Sequence, residues 1–251
     1  MSQTRPIDLA MYEASLHQQP DQVGFQQTDD VFGEACIVLV NGRCVTQREM
    51  VREMRRERTG VIKEIRARKG RLTNVDKDFW ESEQGGLVPF DILKEKALEN
   101  MVGIKIKEEM MLEYGIMVEK TYMEFLDTLD SVNEWRLASS GNGTVIYGPV
   151  EYTETGYFDY LFTNRLITLQ EAMVGKTIKV TQTNLEKHFE TIKESIYGSG
   201  YGKVEDHLNF VRTHYIEHQF ELIFERRKKS SSVKIDEDGW SQLSVSILSP
   251  P

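Results

Sequence analysis

Cysteine is nearly absent from this sequence: Cys36 and Cys44 are the only two in 251 residues. One pair is too few for a disulfide framework, so the expected state is two reduced, half-buried thiols, although the pair flanks Asn41-Gly42 and could in principle bridge a hairpin. No apolar run is long enough to cross a bilayer. The N-terminus, MSQTRPIDLAMYEASLHQQPDQ, lacks the basic start and apolar stretch of a signal peptide. That predicts a cytoplasmic protein as written, or an extracytoplasmic one if an export signal has been removed. Positive charge is in deficit, with 31 Lys and Arg against 40 Asp and Glu, a net charge of -9. Wholesale nucleic-acid binding is therefore not expected. The exception is local: residues 41–71 hold eleven Lys and Arg against four Glu, a solvated helix face able to steer acidic partners. There is no internal repeat and no low-complexity tract.

What is present is a succession of amphipathic helices, preceded by an arm over residues 1–33 with little periodicity. ACIVLV and RCVT read as short strands around the Asn41-Gly42 turn. Thr46 with Glu49 reads as a capping box that opens a helix ending near Gly70, its stripe Met50, Met54, Val61 and Ile65. A polar, turn-rich connection follows. Asp91 is the expected cap of a second helix, with Leu93, Ala97, Met101, Ile104 and Met111 on one face and an end at Tyr114-Gly115. Further helices are expected at about 120–138, 153–174, 182–197 and 204–229, the last with a stripe of Val204, Leu208, Val211, Tyr215 and Leu222. SVKI and LSVSIL read as final strands separated by DEDGW. The fold class is mainly α, with a few short N- and C-terminal strands; the helical core spans 34–235 and residues 236–251 form a tail. Each helix leaves a face that needs a partner, within the chain or in a homodimer.

VLVNGRCVTQREM resembles the start of the N-terminal domain of SurA-like and PrsA-like foldases, in which a strand, VNG, a second strand and a Thr-capped helix recur in that order. ILKEKALENMVGIKIKEEMMLEYGIMV is similar to the family's helix that ends in an A…YGI turn. VTQTNLEKHFETIKES resembles a later segment, and the last helix with SSVKI resembles the helix and strand that return to close the core. The match covers roughly residues 35 to 235 and places the chain with the trigger factor/SurA peptide-binding superfamily. Where family members carry a parvulin isomerase module, this chain has only YGSGYGK, Tyr197 to Lys203. The resemblance thus implies a holdase or foldase that binds unfolded or extended polypeptide, with no isomerase module and no cofactor.

Two groups are candidates for a peptide groove. Methionine adapts to varied partners, which singles out Met101 and Met111. The aromatic run VIYGPVEYTETGYFDYLF adds Tyr147, Tyr152, Tyr157, Phe158 and Phe162, large contact area with polar tips. For both groups, packing in the core is the competing reading. HYIEH, His214 to His218, matches the H-x-x-E-H zinc pattern, with His214 and His218 as ligands and Glu217 as base. Only 33 residues follow His218, and a third ligand is not evident. The glycine clusters at 141–143 and 198–202 read as turns rather than phosphate cradles. The alternatives to a chaperone are an isomerase-related protein or H-x-x-E-H metallohydrolase, and an accessory protein presenting one dedicated peptide to a modifying enzyme.

Overall fold

Asn41 and Gly42 both take positive φ, 51° and 81°, so the chain reverses in two residues as a type I′ turn. That turn joins β1 (Cys36–Val40) to β2 (Arg43–Thr46) in an antiparallel hairpin with Val40 opposite Arg43. The computed structural model describes residues 34–70, 74–197 and 202–248, all in one unit, and the expected N-terminal arm lies outside the described residues. Cys36 and Cys44 are joined in a disulfide, not free as expected. The cause is local: the ladder slips by one residue between Cys36 and Val38, and the two Cα atoms lie 5.5 Å apart.

The protein is mainly helical. Thr46 and Glu49 form the reciprocal capping box, and α1 (Gln47–Lys69) runs from it. Its stripe, Met50, Met54, Val61 and Ile65, is wholly buried against α3 (Pro89–Glu113), which contributes Leu93, Ala97, Met101 and Met111. Each such side chain contributes about 1.5–3 kcal/mol on burial. The N-cap of α3 is Val88, with Pro89 in the first turn; Asp91 lies inside the helix. The connection before it holds a short helix, α2 (Lys77–Glu81), capped by Asp76 and anchored by buried Phe79 and Trp80.

Beyond the Gly115 turn, Thr121 caps α4 (Tyr122–Gly141), and Thr153 caps α5 (Glu154–Met173). These two share a second cluster of Tyr122, Phe125, Leu126, Leu129, Tyr157, Phe158 and Leu161. Helix α6 (Gln182–Tyr197) packs on α7 (Leu208–Ser230) through Leu185, Phe189 and Val211, with Val204 from the intervening 3₁₀ turn. The stripe of α7 differs from expectation: Leu208 and Leu222 are exposed, while Val211, Ile216, Phe220 and Phe224 are buried. The helix serves two surfaces, α6 first and α3 later, so its apolar face rotates along its length.

β3 (Val233–Ile235) then pairs antiparallel with β1, giving the sheet order β2-β1-β3. DEDGW, expected as a turn, forms part of α8 (Glu237–Gln242) capped by Asp236, and LSVSIL, expected as a strand, ends in a 3₁₀ turn, Val245–Leu248. Gly239 is buried against β1, and a Cβ there would lie 2.5 Å from Ile37 Cγ2. That close approach fixes α8 on the strand.

Candidate functional site

Where α1, α3, β2, α4 and α5 meet, the protein buries a run of charges. Glu49 Oε2 accepts from the Thr46 backbone N–H at 2.9 Å, and its Oε1 accepts from Lys105 Nζ at 2.7 Å. Lys105 also donates to Glu108 Oε2 at 3.0 Å, and Arg43 reaches the same oxygen at 3.4 Å. Burial alone would neutralise these groups, but Glu108 and Glu49 together hold the Lys105 ammonium above its ordinary value. The reverse holds for Glu108: burial opposes ionisation, and Lys105 and Arg43 outweigh it, keeping the carboxyl below the usual range. Arg52 lies over the Phe158 ring, 3.6 Å from its centroid, and donates to Glu53 and to Tyr122 Oη. The Tyr122 hydroxyl donates in turn to Glu154 at 2.5 Å, and burial, with that carboxylate, pushes its pKa up. Glu154 is also held by Arg48 at 2.6 Å. The charged forms of Lys105, Glu108 and Arg52 and the neutral form of Tyr122 are therefore each favoured, which suits a fixed scaffold.

Beside this network is a partly open cavity of about 30 Å³. Met111, Met117, Phe125, Leu161 and Phe162 form its apolar wall, and Arg43, Lys105, Glu108 and Arg165 its polar one. Arg165 is buried, with Nη2 donating to both oxygens of Glu119 at 2.8 and 2.7 Å. A space of that size holds a water or two, or one small polar group.

The free end of the α4–α5 pair is different in kind. Arg136, buried on α4, donates from Nε to Pro149 O at 2.8 Å and from Nη2 to Tyr147 O at 2.5 Å. Asn133 exchanges two hydrogen bonds with the backbone of Tyr152, at 2.9 and 2.8 Å. The loop is thereby clamped to the helix, yet it leaves Tyr147 88% and Val145 78% exposed, and on α4 Trp135 and Leu137 are 49% exposed each. No protein-family model, no curated protein and no solved structure matches this chain.

The residues singled out from sequence fall in three places. Met101 and Met111 lie wholly in the core, and Tyr157 and Phe158 are buried between α4 and α5. Tyr152 and Phe162 are half-buried at the edge of that cluster, and Tyr147 stands in solvent. Trp135, Leu137 and the clamp formed by Arg136 and Asn133 were not singled out, though NEWRL mid-helix, with its tryptophan among polar residues, carries the signal.

His214 and His218 do lie together on α7, with Glu217 exposed. Among the described residues, however, no group of three or more His, Cys, Asp or Glu is arranged to hold a metal ion. Instead, buried His188 of α6 brings Nε2 to 2.8 Å from His214 Nδ1, with the His218 ring 5.4 Å from its own. One of the two bonded nitrogens must be a neutral acceptor. Burial, then His214 and His218, push the His188 pKa below its ordinary value.

Proposed function

We propose that this protein binds unfolded or extended polypeptide in the manner of SurA-like chaperone domains, without carrying out chemistry on it. The observation that carries the reading is the clamped apolar tip. Isolated exposed apolar residues are ordinary, but here four occur within residues 135–147: Trp135 and Leu137 on the last turns of α4, Val145 and Tyr147 on the following loop, which a buried arginine and an asparagine hold in place. An ordered apolar surface loses little entropy when it takes up a chain. Tyr147 and Trp135 supply broad contact area with few rotatable bonds. Two features of the core agree with the resemblance noted in the sequence: the NG hairpin leads into a Thr-capped helix, and the final long helix returns a strand to pair with β1. The Cys36–Cys44 disulfide supports the extracytoplasmic alternative, because such bonds persist in oxidising compartments.

The test is fluorescence anisotropy of a set of unrelated labelled peptides with the wild-type chain and with Trp135→Ser/Tyr147→Ser. Sequence-tolerant binding is expected for the wild type, weakened at least about tenfold in the double variant, since interface aromatics commonly cost 2 kcal/mol or more when removed. Both side chains face solvent, so the melting temperature should be unchanged. Failure to bind any peptide would sink general chaperone activity and favour a single dedicated partner.

A further inference from the structure

Among the described residues three buried side-chain nitrogens, Nε of Arg43, Arg58 and Arg165, have no hydrogen-bond acceptor, and two of them, Arg43 and Arg165, belong to the wall of the same cavity. Arg43 comes from β2 and Arg165 from α5, so no local sequence constraint brings them there. Each is otherwise engaged. Arg43 directs Nη2 to Glu108 and to the Lys120 carbonyl, and Arg165, 9% exposed, directs Nη2 to Glu119. A buried charged donor left without an acceptor is costly, and native proteins fill such positions. The cavity wall itself presents Arg43, Lys105 and Arg165 beside Glu108, with Glu49 and Glu119 behind it as the further partners of Lys105 and Arg165. Its remaining surface is methionine, leucine and phenylalanine.

We propose that this cavity binds a carboxylate. A carboxylate has two oxygens, one for each arginine Nε, and a carbon stem that suits the apolar wall. The carboxylate could belong to a peptide C-terminus, to an Asp or Glu side chain, or to a small free acid; only the first two rest on the polypeptide-binding reading.

The test uses the full chain, following the side-chain Nε–H resonances of Arg43 and Arg165 by nitrogen-15 NMR. Sodium acetate should move both saturably, and sodium chloride at equal ionic strength should not. Arg165→Lys keeps a cation for Glu119 but loses Nε, and should weaken acetate binding about tenfold; Arg43→Lys gives the same readout should the first variant fold poorly. Three peptides then identify the source: one with a free C-terminus, one amidated with an internal Glu, one amidated and neutral. A response to the first names the main-chain carboxylate, to the second the side chain, and to acetate alone a small free acid. No movement with acetate or any peptide, an equal response to chloride, or an equal response to the neutral peptide overturns the proposal. Anisotropy with the neutral peptide at the α4–α5 tip reports separately on polypeptide binding.

Discussion

Lys105 is the residue whose loss the core can least absorb. It lies between Glu49 and Glu108, all three buried, and Lys105→Met would leave Glu49 without its ion-pair partner and Glu108 with only the more distant Arg43. Breaking a buried pair in this way costs about 3–5 kcal/mol, which urea denaturation would show as a lower midpoint with unchanged slope. The pH signs follow. Glu108 has a lowered pKa, so its contribution is present above the ordinary carboxyl value of 4.5 and is lost as pH falls through the folded value. Lys105 has a raised pKa, so its contribution is full below 10.5 and is lost as pH rises through the folded value. Stability should therefore hold a plateau between these limits as far as this cluster is concerned. The capping role of Glu49 was legible in the sequence, because it depends on a residue three positions away. Its bond to Lys105 spans a separation of 56 residues, and nothing local to either residue signals that one will meet the other.

At the scale of elements, local chemistry predicted the hairpin and tertiary packing decided the rest. Asn-Gly set the turn, whereas DEDGW became helical because Asp236 caps it and Gly239 permits contact with Ile37. The disulfide closes the hairpin across a sequence separation of 8. Replacing both cysteines by serine is expected to cost about 2–3 kcal/mol by the loop-entropy argument, measurable as a fall in melting temperature. The α6–α7 pair responds to acid. A lowered His188 pKa means that the unfolded chain takes up the proton first, so stability is full above about 6.5 and falls as pH drops through that value toward the folded pKa. Facing His188 are His214, His218 and the edge of Tyr215. Protection factors along α6, in which the intrinsic pH dependence of amide exchange is divided out, should therefore fall between about pH 7.5 and about pH 5.5, and His188→Phe should flatten that response.

Across the whole molecule, the mainly helical class and most helix faces could be read from periodicity, because one-sided burial imposes it. The candidate site could not be read to the same depth. Sequence marks Tyr147 and Phe158 alike as aromatic in one run, but whether each lies under Arg52 or out in solvent depends on how α4 and α5 meet. The sheet has its own long-range dependence, since Val38 pairs with Ile235 and Val40 with Val233. A chain ending after Ser230 should leave one edge of β1 open, and light scattering should show it associating where the full chain does not. The same pairing has a temporal side. During synthesis β1 is made before helices α1 to α7, and the strand that covers its second edge follows only after them. Throughout that interval the nascent protein carries an unfilled strand position, and closing it requires a contact of high sequence separation, which is slow. By its own topology, a protein proposed to shelter other unfinished chains keeps an open strand edge of its own until seven helices and β3 have been made.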